Sequence, residues 1–271
     1  MKNFLFLGLI GTTVFLNSCS SSNDDTPINS PNDTPSAQTL FLSKVTTTYL
    51  DLPGNPQGNI QTFSYNNQAQ LVKMQSQEGS TTFEYSNGKP IKSNTYNNQQ
   101  QLKYYSEFNY NGDQLVSNKR VSTTADYNGT YEYSYNAQGK LSSSRICNSA
   151  DCTSTTNELY SYYGDNVLIY TIHIKGNSSF SVRNDYSYDN KLNPYTNLNK
   201  YLKIIVGKSD VLSKNNCTID KNSSNNNGTW QSDKTITYAY EYNGYGFPVK
   251  AIGKDNDGKP IVQYDYEYTS L

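Results

Sequence analysis

Aromatic and polar residues alternate with a period of two along most of this chain, most plainly in Tyr131-Glu-Tyr-Ser-Tyr-Asn-Ala-Gln-Gly-Lys-Leu141. On an extended backbone Tyr131, Tyr133 and Tyr135 share one face, and Glu132 and Ser134 share the other. Asn136 to Gly139 then reverses the chain, and Leu141 starts a return strand. Rewritten copies are Thr62-Phe-Ser-Tyr65 with Leu71, Thr82-Phe-Glu-Tyr85 with Ile91, and Glu107-Phe-Asn-Tyr110 with Leu115. Later copies are Tyr160-Ser-Tyr162 with Leu168, Tyr186-Ser-Tyr188 with Leu192, Tyr238-Ala-Tyr240-Glu-Tyr242 with Val249, and the terminal Tyr264-Asp-Tyr266-Glu-Tyr268. Tyr85, Tyr110 and Tyr135 are 25 residues apart, and Tyr242 and Tyr268 are 26 apart. That period suits one two-stranded hairpin with its connections, so the array predicts an antiparallel meander. Pairs at Asn87-Gly88, Asn111-Gly112, Asn128-Gly129, Asn243-Gly244 and Asp257-Gly258 offer the positive-φ residues that tight hairpins require.

Residues 40–49 read as the first strand and residues 53–58, rich in Pro and Gly, as a loop. The rhythm breaks after Leu192. Leu198, Tyr201, Leu202 and Ile205 fall at helical spacing, with Asn193 to cap, Pro194 in the first turn and Gly207 to stop, which predicts one short helix over 195–206. Residues 208–234, with an Asn/Ser run ahead of Trp230, read as a long irregular loop. Roughly 16 strands in one twisted sheet exceed the ~10 at which a sheet must curl, split or flatten. The expected fold is therefore all-β, an antiparallel meander of hairpins in one curled or barrel-like sheet. Curling toward Tyr65, Tyr85, Tyr110, Tyr135, Tyr162, Tyr188, Tyr242 and Tyr268 buries these rings and turns Glu84, Glu107, Glu132, Glu241 and Glu267 outward. The helix then covers part of an opening.

The pattern Tyr-x-Tyr-Asn-x-x-Gly-x-Leu at 133–141 resembles the tyrosine-aspartate (YD) repeats of Rhs-type proteins. More closely, together with Tyr188-Asp-Asn-Lys-Leu-Asn-Pro-Tyr195 and Gly246-Phe-Pro-Val-Lys250, the chain resembles tyrosine-rich Bacteroidetes surface lipoproteins of a domain-of-unknown-function family. The likeness spans residues 40–271. Only Tyr188-Asp189 keeps the Tyr-Asp pair in register, and what the resemblance implies is a fold, not an activity.

Residues 1–18 carry Lys2 and a short apolar run ending in Leu16-Asn-Ser-Cys19, the form of a secretory leader too short to span a bilayer as a permanent helix. The Leu-Asn-Ser-Cys box resembles a lipoprotein cleavage site, which implies loss of 1–18 and acylation of Cys19. Residues 19–38 form a tether of Ser, Asn, Asp, Pro and Thr with little to bury. Within it Ser20-Ser-Ser-Asn-Asp-Asp25 resembles a surface-export signal of such lipoproteins and reads equally as an acidic solvated spacer. One domain, 39–271, follows, and the resemblance places it on the outer membrane, lipid-anchored.

Composition adds three constraints. Twenty-six tyrosines supply a core that the aliphatic residues are too few to build. With 22 basic and 23 acidic residues there is no electrostatic footprint for nucleic acid. Export places Cys147, Cys152 and Cys217 in an oxidising compartment. Cys147 and Cys152, five apart, close a small loop across a hairpin tip as a disulfide, with zinc as the rival reading; Cys217 is left over as a free or buried thiol.

No catalytic motif is present, His173 sits alone on a strand, and Asp255-Asn-Asp-Gly258 lacks the downstream Glu of a calcium loop. The reading is a non-catalytic, monomeric surface module with no cofactor and no metal, binding an extracellular glycan or protein. A purely structural envelope component is the alternative, and a glycan hydrolase stands third. Ligand contact is expected at a rim formed by Trp230, Tyr131, Tyr238 and Tyr264.

Overall fold

A computed structural model describes residues 39–52, 58–123, 128–147, 152–176, 179–226 and 228–271. The leader, Cys19 and the tether lie outside these residues, and 37–271 form one compact unit. The first strands are β1 (Leu40–Tyr49), β2 (Asn59–Tyr65), β3 (Leu71–Ser76), β4 (Gly79–Ser86), β5 (Lys89–Asn97), β6 (Leu102–Asn111), β7 (Gln114–Ser122) and β8 (Gly129–Tyr135). They continue as β9 (Leu141–Cys147), β10 (Thr155–Tyr163), β11 (Asn166–Lys175) and β12 (Ser179–Leu192). After two short helices, α1 (Lys200–Val206) and α2 (Ser209–Leu212), come β13 (Asn215–Asn226), β14 (Thr229–Tyr242), β15 (Pro248–Lys254) and β16 (Pro260–Ser270).

Every strand pairs antiparallel with its sequence neighbours, and β1 closes on β16 with Leu42 opposite Tyr268, Val45 opposite Tyr266 and Thr47 opposite Tyr264. The curled sheet is thus a closed 16-stranded barrel, which leaves no sheet edge unpaired.

Two turn designs set the register. In one, an Asx residue folds its side chain over a five-residue loop: Asn136 Oδ1 accepts from the backbone N–H of Gln138 and Lys140, both at 3.0 Å. Asn66, Asn97, Asn243 and Asp255 repeat this bond pair. The fourth residue of each such loop takes positive φ, at Ala69, Gln100, Gly139, Gly246 and Gly258. The Asp255 carboxylate is therefore spent on its own turn. The other design is a two-residue turn, seen at Asn87-Gly88 with φ of 50° and 76°. Two of the expected glycines differ. Gly129 begins β8 rather than turning the chain, and at 243–247 it is Gly246, not Gly244, that adopts positive φ.

The even strands build the interior in layers. Two residues before each ladder tyrosine stands another aromatic, and Phe63, Phe83, Phe108, Tyr133 and Tyr160 are 5–9% exposed. The ladder tyrosines themselves, expected to be mostly buried, are half-buried. Their rings lie nearer the rim, where the hydroxyl reaches a backbone carbonyl on the preceding strand. Tyr65 donates to Leu42 O (2.9 Å), Tyr85 to Leu71 O (2.7 Å), Tyr110 to Pro90 O (2.6 Å) and Tyr135 to Leu115 O (2.6 Å). Tyr188 donates to Val167 O (2.6 Å) and Tyr268 to Pro248 O (2.7 Å). Burying a phenol without a partner for its hydroxyl is costly, so the ring stops where a carbonyl is available.

A β-bulge accompanies these bonds. The register slips between Glu84 and Tyr85, so Tyr85 faces Pro90 and Ile91 is squeezed outward, 42% exposed. Leu168 is displaced in the same way, leaving Val167 as the buried partner of Tyr162. The residue that starts the return strand of those repeats is therefore one earlier than the hydrophobic pattern suggests.

The outer face is charged. Glu84, Lys92, Glu107 and Lys119 occupy successive register positions on β4 to β7, giving alternating sign across these four strands. Glu132 faces Arg145, and Lys44 pairs with Glu267 at 2.8 Å. This is the placement expected for the repeat glutamates.

Residues 193–214 plug the end of the barrel at which the even strands finish. The expected helix 195–206 is shorter: Asn193 folds its side chain onto Tyr195 N (2.7 Å) and into turns, while Asn199 is the true cap, accepting from Tyr201 N at 2.9 Å. Gly207, with φ of 68°, ends α1 as expected. Residues 208–234 are not an irregular loop but supply α2, β13 and the start of β14. Asn222 to Asn226 find ladder partners in Phe180 to Asn184, and partners on both sides outweigh the poor strand propensity of an Asn/Ser run. Cys147 and Cys152 are joined by a disulfide, Cα–Cα 4.8 Å, and Cys217 is a free thiol.

Candidate functional site

The plug fills the barrel unevenly. Tyr201 and Leu202 of α1 pack on buried residues of β1 to β11, among them Val45, Leu71, Phe83, Phe108, Tyr133, Tyr160 and Val167. Lys200 Nζ and Tyr201 Oη both donate to the Asp113 carboxylate in the β6–β7 turn. Asn197 Nδ2 donates to Leu40 O at 2.7 Å. Across β12 to β16 the same interior layers meet less of the plug. Tyr186, Tyr240 and Tyr266, equivalents of the buried Phe63 and Phe83, are only half-buried there.

A cavity of about 410 Å³ results, walled by Tyr170, Tyr186, Tyr188, Tyr195, Tyr238, Tyr240, Tyr264 and Tyr266 and roofed by residues 207–210. Tyr264 and Tyr266 stack with centroids 6.3 Å apart, and Tyr238 lies 6.4 Å from Tyr264. Asp210 and Asp220 also line it. Asp210 lines the cavity with its side chain exposed. Desolvation raises its carboxyl above the usual range, with Lys208 opposing. Desolvation raises Asp220 as well, against a hydrogen bond from Asn184 Nδ2 at 2.8 Å. Burial pushes the Tyr264 hydroxyl up to about 12 and lifts the Cys217 thiol well above its ordinary value.

A second cavity of about 430 Å³ lies on the far side of α1, and Gly207 lines both. Glu158 lines it and accepts from Ser144 Oγ, from Tyr160 Oη (3.1 Å) and from Tyr170 Oη (2.7 Å). The Arg120 guanidinium lies over the rings of Tyr104 (5.3 Å) and Tyr131 (5.6 Å).

The four residues expected at a rim are separated. Tyr238 and Tyr264 share the first cavity, Tyr131 lines the second, and Trp230, 43% exposed at the start of β14, lines neither. The aromatic contacts lie inside the barrel because positions four before the ladder tyrosines point inward. His173 bonds Ser181 Oγ at 2.7 Å, away from both cavities. Among the described residues no cluster of His, Cys, Asp and Glu has metal-site geometry.

Glu158 escaped the sequence reading although a signal exists. It stands four before Tyr162, where the other repeats carry Gln61, Thr81, Ser106, Tyr131, Asn184, Tyr238 and Tyr264. That layer varies while the two above it are uniformly aromatic, which marks it as the layer free to serve a ligand. Asp210 lies in the plug, outside the repeats, and carried no such signal.

No protein-family model matches the chain, and no curated protein matches it. Solved structures do. A porin-like protein from Bacteroides uniformis ATCC 8492 aligns over 84% of this chain and 96% of its own, at 14% identity and a TM-score of 0.55, which bears out the barrel fold. A porin-like protein from Bacteroides vulgatus ATCC 8482 aligns over 86% and 100% at 13% identity and a TM-score of 0.44. TcdB2-TccC3 without its hypervariable C-terminal region aligns over 84% of this chain and 13% of its own, at 10% identity and a TM-score of 0.32.

Proposed function

We propose that this protein is a non-catalytic surface lipoprotein of the outer membrane, held by lipid on Cys19, whose barrel interior binds an extracellular glycan. The observation that carries this reading is the half-buried tyrosine wall of β12 to β16, where rings whose counterparts elsewhere are fully buried line a cavity of ligand size. Ring faces on a rigid wall stack on sugar rings, and carboxylates and amides beside them meet hydroxyls.

The outer face supports a barrel standing in water rather than in lipid. Membrane-spanning barrels present an apolar band about 25 Å tall, and one Lys at mid-bilayer costs about 2–4 kcal/mol. Here Glu84, Lys92, Glu107 and Lys119 occupy consecutive outward positions. An acyl anchor reconciles such a surface with a membrane location.

A binding screen of the full chain against envelope and dietary polysaccharides, with Tyr240→Ala beside the native protein, tests the reading. Retention of a glycan that Tyr240→Ala weakens is the expected result. Failure to retain any favours a purely structural envelope component, and retention indifferent to Tyr240 refutes binding in the barrel interior.

A further inference from the structure

The cavity below α2 is furnished with acceptors, and we infer that it takes an organic cation, an amine-bearing sugar being the form consistent with the glycan reading on which this inference rests. Two carboxylates, Asp210 and Asp220, line it from opposite sources, one on the plug and one on β13. Independently of them, Asn216 lines the same cavity at 2% exposure. Its Nδ2 is engaged by Asp189 and by Leu192 O (3.0 Å), while its Oδ1 has no hydrogen-bond partner. A buried amide oxygen normally finds a donor. An ammonium offers three donors and no acceptor, so an amine-bearing ligand suits a lining of carboxylates better than a neutral hydroxyl does.

The ring faces point the same way. Tyr238, Tyr240, Tyr264 and Tyr266 are half-buried around the two acids, and the negative face of an aromatic ring attracts a cation. Lys208 is the cationic side chain lining the cavity, on the exposed junction between α1 and α2, and it offsets the burial of Asp210 only in part. Asp189, behind Asn216, is already held by Tyr242 Oη and Asn216 Nδ2.

Calorimetric titration of the full chain with glucosamine oligomers, against N-acetylglucosamine oligomers of the same length, separates the amine from the sugar. The glucosamine series should bind roughly tenfold tighter or better, and the double variant Asp210→Asn/Asp220→Asn should lose that preference while melting cooperatively. Equal affinity for both series, a preference for the acetylated one, or an undiminished preference in the folded double variant overturns the cation inference and leaves the lumen as a glycan site. Binding of neither series also overturns it, and the polysaccharide screen then decides the broader reading alone. Should the double variant not fold, competition on the native protein decides. Displacement of the glucosamine oligomer by tetramethylammonium and not by a neutral alcohol of equal size sustains the inference, and displacement by both equally, or by neither, refutes it.

Discussion

Tyr135 Oη donates to the backbone carbonyl of Leu115 at 2.6 Å, so a side chain at the end of β8 fastens its strand to the start of β7, the strand before it. The same bond recurs from Tyr110 to Pro90 and from Tyr268 to Pro248, which makes the tyrosine hydroxyls a seam around the plugged end of the barrel. Tyr135→Phe removes one such stitch and keeps the ring, with an expected loss of about 1 kcal/mol in urea unfolding. Tyr135→Ala also loses a half-buried ring and should cost about 2–3 kcal/mol, below the ~3–5 of a fully buried aromatic. Equal stability of Tyr135→Phe and the native protein would show the seam to be incidental.

The plug has an acid-sensitive clasp. Hydrogen bonds from Lys200 and then Tyr201 hold the Asp113 carboxyl at about 2, below its ordinary value of 3.8. A depressed carboxyl contributes stability that is complete above its unfolded value and is lost as pH falls through the folded one. Amide exchange in residues 200–206, corrected for intrinsic rates, should therefore hold steady down to about pH 4 and rise as pH approaches 2. In Asp113→Asn it should be faster already at neutral pH. A profile that Asp113→Asn leaves unchanged refutes the clasp.

Asp210 works in the opposite sense. Its carboxyl is raised by desolvation, so the folded state binds the proton more tightly than the unfolded chain does. The resulting penalty applies above the folded pKa and disappears as pH falls to the unfolded value. Asp210→Asn should accordingly raise the melting temperature at pH 7 and leave it nearly unchanged near pH 3. Thermal scans of both proteins at the two pH values check this, and destabilisation at pH 7 would contradict it.

Anchoring is separable from folding. Cys19→Ala should move the protein from the membrane fraction to the soluble one with its melting profile intact, because 37–271 form a unit by themselves. Persistence of the variant in the membrane fraction would rule out an acyl anchor at Cys19.

What the sequence determined by itself was the meander of strands and which residues of the even strands face in or out. Alternation placed Phe63, Phe83 and Tyr133 inside and Glu84, Glu107 and Glu132 outside, since a strand's side chains can face only two ways. Asn and Gly at fixed offsets marked the hairpins, because few residues tolerate positive φ. Tertiary structure decided the rest. Pairing of Leu42 with Tyr268 joins residues 226 apart, and no local pattern states whether a curled sheet meets itself. The bulges that expose Ile91 and Leu168 in favour of Pro90 and Val167 follow from where a ladder hydroxyl finds its carbonyl, a relation across hairpins. Strand structure in 215–226 and 229–234 came from pairing with neighbouring strands rather than from its own Asn-rich composition. The cavity depends on volume: α1 is seven residues long, and its side chains fill one flank of a 16-stranded interior and leave tyrosines of the other flank facing open space.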